Sequence, residues 1–180
     1  MKKFIIISIL LIISRFFDVF TTYRYIPDLK GEINPLVSVL NFGWTGTLIF
    51  QILGLCFLIY TVYIYCFKTI ETIQFDKKTT LKEFISIFHF NNTNDFLKLI
   101  YKLPSNRYSL IYSLGAILSK GLIAFSLLVG SSTSLLIFND GYRSIYRDFK
   151  IPTFLYISSF LIMIILAIDF YKRERIKRIE

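Results

Sequence analysis

Phe4-Ile5-Ile6-Ile7-Ser8-Ile9-Leu10-Leu11-Ile12-Ile13-Ser14-Arg15-Phe16-Phe17-Asp18-Val19-Phe20-Thr21-Thr22 decides the fold of this chain. With its continuation to Ile26 the run is long enough to cross a hydrocarbon core, which takes about 20 helical residues. A charged side chain at the centre of a bilayer costs about 2.5 to 3.5 kcal/mol on insertion scales, so Arg15 and Asp18 mark either a working site or a pairing point between helices. Lys2-Lys3 before an apolar run also resembles a signal peptide. No small-residue cleavage site follows, however, and bulky Arg15-Phe16-Phe17 stands where one belongs, so the sequence predicts an uncleaved span.

The rest of the chain is of the same kind. Its 180 residues are 54% hydrophobic and 18% aromatic, with a mean hydropathy of +0.58, too apolar for an ordinary soluble domain. Hydrophobic stretches over about 4–26, 42–67, 108–138 and 153–171 predict an all-α membrane protein, a single four-transmembrane-helix bundle. The third stretch is longer than a straight crossing needs. Its Gly115, Gly121 and Gly130, and the run Ser131-Ser132-Thr133-Ser134, predict a tilt, a kink or an extension beyond the bilayer, and its small residues suggest a surface for dimerisation. Cys56 and Cys66, ten positions apart on one helix, are about 15 Å from each other and read as buried thiols rather than a disulfide.

A formal charge of +9 would suggest a polyanion partner in a soluble chain, but here the basic residues lie between and after the spans. Fourteen Lys and Arg fall in the amino terminus, the 68–107 loop and the 172–180 tail, against five in the other two loops. That asymmetry predicts a cell-membrane protein with both termini and the long loop in the cytoplasm, and it removes nucleic acid as a partner. Within the loop, Thr80-Leu81-Lys82-Glu83 fits a capping box, and Leu81, Phe84, Ile85 and Phe88 share one helical face. A second amphipathic helix is predicted after Asn94, with Phe96, Leu99, Ile100 and Leu103 on one face before Pro104. These read as interfacial helices, either binding anionic lipid or a partner, or resting on the membrane as a connector.

Motif chemistry is sparse. His89 is the only histidine and has no Cys or His at ligand spacing, which leaves no zinc site, and the sequence contains neither a nucleophile elbow nor a P-loop. Asn91-Asn92-Thr93 has the glycosylation pattern but lies on the expected cytoplasmic side. Counting 1.5 Å per residue from the start of each span places Asp18 about 21 Å deep and Lys120 about 18 Å deep. Gln51, Ser158 and Ser159 fall near the same level. The count predicts one polar layer in which Asp18 pairs with Lys120, with Arg15, one turn before Asp18, as the alternative partner. Outside the first span, Glu32, Asn34 and Pro35 predict a capped turn or short helix, either an ordinary outer one or a re-entrant piece dipping toward Thr21, Thr22 and Asp18. The tail, with Asp169 one turn before Arg173, reads as a surface anchor for the last span.

Asp18, Thr21 and Thr22, followed by Glu32-x-Asn34-Pro35-Leu36, resemble the signature of a family of small prokaryotic multi-pass membrane proteins with an intramembrane Asp-x-x-Thr-Thr run. The likeness covers about the first 70 residues. It implies a helical membrane fold and a polar site of Asp18, Thr22, Glu32 and Asn34, and it names no reaction or cofactor. Where that family often carries a lysine in the next span this chain has Gln51, and Lys120 is the candidate replacement. An assembly or interaction component, with a homo-oligomeric or membrane-protein partner, leads the readings. A small transporter or ion-conducting protein using Asp18, Glu32 and Lys120 comes second, and an intramembrane enzyme working with the Asp18 and Glu32 carboxylates comes third.

Overall fold

The computed structural model describes residues 1–29, 37, 39–69 and 78–179, and these form helices and turns without a strand among them. In chain order the elements are α1 (Lys2–Tyr25), α2 (Trp44–Phe67), α3 (Leu81–Phe90), a 3-10 turn (Phe96–Ile100), α4 (Arg107–Phe138), α5 (Asp140–Asp148) and α6 (Ile151–Ile179). Helices α1, α2, α4 and α6 are long and apolar enough to cross a membrane, which fits a multi-pass membrane protein. α1 contains neither Gly nor Pro, and it stops where Ile26, ahead of Pro27, leaves the helical region at φ −131°. The outer motif Glu32, Asn34 and Pro35, and with it the proposed re-entrant piece, lies outside the described residues.

Helix α4 is the axis of the molecule. It touches α1, α2 and α6, α1 also touches α2, and α6 stands on the other side of α4 with α3 and α5 at its two ends. The glycines of α4 make this possible, because without side chains they let neighbouring helices close in. Gly115 lies under the Thr61 carbonyl and Tyr65 of α2, Gly121 under Met163 of α6, and Gly130 against Phe17 and the Cα of Asp18 of α1. The small residues that the sequence offered to a dimer are therefore covered by the chain's own helices. α4 does not break at any of its glycines, and the serine-rich run continues it, with the Ser134 hydroxyl donating to the Gly130 carbonyl at 2.8 Å.

Lys3 and Tyr65, joined at 2.8 Å, and the edge-on rings of Tyr65 and Tyr112 bring the start of α1, the end of α2 and the start of α4 to one end of the molecule, the basic end. There α3 forms a cap. Thr80 and Glu83 make the reciprocal capping box, and the Thr80 N–H, donating at 2.8 Å, and the Thr80 hydroxyl, donating at 2.9 Å, hold the Glu83 carboxyl below its usual range. Asn91, at φ 57°, closes the other end of α3 in the left-handed conformation. The apolar face of α3 does not lie on lipid; Phe84, Ile85 and Phe88 pack with Ile64, Tyr112, Ala116 and Phe170 of three spanning helices. The second loop element is a short 3-10 turn instead of the predicted α-helix. Ser86 explains the early turn, since its hydroxyl accepts from the Asp95 N–H at 2.7 Å and ties the chain back onto α3.

At the far end α5 folds over the terminus of α4. Asn139 caps α5, its side chain accepting from the Tyr142 N–H at 3.0 Å, while Arg143 donates to the Leu136 carbonyl at 2.7 Å and to the Ile137 carbonyl at 3.2 Å. Those carbonyls are among the last four of α4 and have no partner inside the helix. The two cysteines are free, and Cys56 is exposed on the outer surface of α2 rather than buried.

Gly115 and Gly121 separate two kinds of close contact. A methyl at Gly115 would strike a backbone carbonyl, whereas one at Gly121 would strike the flexible Met163 side chain. Gly115→Ala is expected to cost about 1 to 3 kcal/mol, the range for overpacking, and Gly121→Ala clearly less. Thermal melts in detergent check this, and equal losses for the two variants would contradict the packing described.

Candidate functional site

Two polar assemblies occupy opposite ends of the molecule. The first is built on α1. Arg15 and Asp18, three residues apart and so on one helical face, form an ion pair of 2.7 Å, and the same Nη1 of Arg15 donates to Ser126 of α4 at 3.0 Å. Asp18 is 8% exposed. In hydrocarbon, pairing removes most of the penalty that either charge would carry alone. The described ion pair of Asp18 is thus with Arg15 and not with Lys120.

The reason lies in helix offset. Gly130 of α4 is level with Asp18, and Lys120, ten residues nearer the basic end, is about 15 Å away along the axis. It also points elsewhere, since nine residues at 3.6 per turn put Lys120 roughly 180° around α4 from Val129, which faces α1 and the cavity. The depth count failed because it started α1 and α4 at one level. In fact α4 begins about two turns lower, where its first residues join the α3 cap. Gln51 lies on the face of α2 that it shares with Leu55, Leu58 and Val62, and the contact of Thr61 with Gly115 sets it level with Ser126.

Asp18 also forms part of a cavity wall. The space, about 560 Å³, lies in the groove that α1 and α6 leave over α4. α1 contributes Asp18, Thr22 and Tyr25; Val129 and Thr133 form its α4 side; and Tyr146 of α5 and Tyr156 of α6 close it. Asp28 stands at its edge, beside Pro27, whose carbonyl accepts from the Trp44 indole N–H at 2.7 Å. The described lining thus holds two carboxylates, threonine hydroxyls and tyrosine rings, and no Lys or Arg. Thr21, by contrast, is buried and donates to the Phe17 and Asp18 carbonyls at 3.0 Å, so it serves its own helix. Sequence reasoning missed Ser126, Asp28, Tyr146 and Tyr156. The far-end tyrosines were visible in the chain, but aromatic residues near span ends read first as interface anchors.

The second assembly is the lock under the α3 cap. Ser109 donates to the Asn106 carbonyl at 2.8 Å, so its oxygen accepts from Nδ1–H of His89 at 2.9 Å. Nε2 then accepts from the Tyr171 hydroxyl of α6 at 2.7 Å. His89 is 1% exposed, and burial lowers its pKa to about 4. Beside it Glu174 of α6 is buried next to Tyr112 and pairs with Lys177 at 2.8 Å and Arg178 at 3.5 Å, while the Arg178 guanidinium sits over the Phe88 ring at 5.1 Å. Asp169 and Arg173 do meet on the surface, at 2.9 Å, but Glu174 and Arg178 turn the tail inward. Among the described residues no group of three His, Cys, Asp or Glu could hold a metal ion. The chain matches no protein-family model, no curated protein and no solved structure.

Each assembly has its own signature. For the first, the effects of Arg15→Gln and Asp18→Asn on stability are expected to be non-additive by about 0.5 to 3 kcal/mol, whereas Lys120→Met and Asp18→Asn should add within about 0.5 kcal/mol. Double-mutant cycles on detergent-solubilised protein distinguish the two. For the second, an unfolded histidine titrates near 6.5 and the buried one near 4, so the unfolded state binds more protons between those values. Stability is therefore full above about pH 6.5 and falls as pH drops toward 4, by an amount on the order of 3 kcal/mol. His89→Gln should flatten that part of the pH profile.

Proposed function

We propose that this is a multi-pass protein of the cell membrane that binds a small cation-bearing solute from the outer face, as a compact transporter, in the cavity between α1 and α6. The observation that carries this reading is that Asp18 both pairs with Arg15 and lines the cavity. An intramembrane cluster serving only helix assembly has no need of an open space beside its carboxylate. A volume of about 560 Å³ falls within the range of small-ligand pockets. A carboxylate accepts from several donors at once, so pairing with Arg15 is compatible with Asp18 also meeting a bound solute. Tyr25, Tyr146 and Tyr156 and a second carboxylate, Asp28, belong to the same wall, and aromatic rings and carboxylates are the groups that attract an ammonium.

Lys120 has no part in this site. The fourteen-to-five distribution of basic residues supports an orientation with the cavity facing outward. We propose further that the Asp18-Thr22 half of the site is what this chain has in common with the prokaryotic family that its Asp-x-x-Thr-Thr run resembles.

Binding is tested by thermal shift on the detergent-solubilised protein with ethylammonium, choline and guanidinium set against acetate and phosphate. A bound cation at one hundred times its Kd should stabilise by about 2.7 kcal/mol. Asp18→Asn should abolish the shift, and so should Val129→Trp, which fills the cavity and leaves both charges in place. If no cation shifts the melt, or if anions do so equally, the assembly reading replaces this one.

A further inference from the structure

We infer that the segment from Leu97 to Leu103 is a lipid-inserting keel, which seats the rim of the α3 cap in a leaflet containing anionic headgroups. A 3-10 turn has three residues per turn, so residues i and i+3 eclipse and the element presents three rows, of which 96/99 and 97/100 are apolar. Phe96 and Leu99 form one face and pack against the core under α3. Leu97 and Ile100 form the other, 62% and 82% exposed, and Tyr101 and Leu103 extend it at 75% and 76%. Four large apolar side chains projecting side by side from a polar loop are a contact surface, because isolated apolar residues on a surface are ordinary and contiguous ones are not.

Position and charge identify the occupant. Only residues 104–106 separate Leu103 from the first turn of α4, so the end of the keel lies within about 14 Å of the start of a helix long and apolar enough to cross the membrane. The apolar surface of the keel thus lies next to the surface that the spanning helices give to lipid, where Tyr108 and Phe67 are also exposed. Exposed Lys102 and Arg107 flank it, and Lys98 is tied to Asp95 at 2.8 Å. Lysine and arginine beside interfacial tyrosine and leucine match a headgroup layer with negative charge. The α3 helix supplies no such surface, since its apolar face is used inside the molecule.

The test uses full-length protein in which Trp44→Phe removes the only tryptophan and Tyr101→Trp or, separately, Leu103→Trp introduces one in the keel. The variants are reconstituted in vesicles of phosphatidylcholine and phosphatidylglycerol, with bromine on the acyl chains of one lipid or the other. The keel tryptophan should lose most of its emission to brominated lipid, lose more when the phosphatidylglycerol carries the bromine, and be poorly quenched by aqueous iodide. Lys102→Gln with Arg107→Gln should abolish the preference for brominated phosphatidylglycerol and leave lipid quenching in place. Strong iodide quenching without bromine quenching would overturn the inference in favour of a water-exposed loop. Protection from both quenchers would overturn it in favour of a protein partner or second copy, and equal quenching by the two brominated lipids would overturn its anionic component.

Discussion

Close backbone approach along α4 is the constraint on which the rest of the molecule depends. Lipid gives apolar helices little reason to prefer one another over acyl chains, so contact has to come from fit. Gly115, Gly121 and Gly130 provide that fit toward three different partners, and the partners' positions follow from it. Because α1 meets α4 at Gly130, Arg15 comes level with Ser126. Because α6 leans on α4 at Gly121, on another face, α1 and α6 stand apart at the far end and leave the cavity between them. The site is thus a consequence of where side chains are missing as much as of where charges are present.

The same logic explains which parts of the fold were legible in the chain. The four spans were, because twenty apolar residues in a row report their own environment, and the expected 42–67 and 108–138 differ by one or two residues at most from α2 and α4. The capping box at Thr80 and Glu83 was legible because its chemistry is local. The end of α6 was not. The fourth span was expected to give way to a surface tail after Tyr171, but the helix continues to Ile179, where Glu174 pairs with Arg178 one turn on and is buried beside Tyr112, which lies elsewhere in sequence. In the loop, periodicity found the apolar positions 96, 99, 100 and 103 but assigned them to one face, and a period of three divides them between two.

Within the candidate site, identity was easier to read than partnership. Asp18 was conspicuous because a carboxylate in hydrocarbon needs an explanation, and Arg15, one turn away, was already a possible partner. Depth counting favoured Lys120 by treating helix starts as coplanar, a condition that lipid boundaries approximate only when helices begin in loops. α4 begins inside a folded cap, held by the Asn106 N–H donating to the His89 carbonyl at 3.1 Å, and every residue after it is displaced toward the basic end. An error of about two turns moves a side chain some 12 Å, enough to exchange one ion-pair partner for another.

The two polar assemblies solve the burial problem in opposite ways, and the difference bears on their roles. At His89 the group is kept neutral: both ring nitrogens have hydroxyl partners, its pKa lies near 4, and the ring packs against Phe88 and Tyr171. A neutral, fully satisfied, closely packed centre is what a structural lock requires, since any charge appearing there would have to displace a partner. At Asp18 a salt bridge is used instead: the carboxylate pairs with Arg15, which also donates to Ser126, and the same residue forms part of the cavity wall. The molecule thus uses a neutral hydrogen-bond network to hold the cap to the spans, and a charged pair to join α1 to α4 at the wall of the cavity.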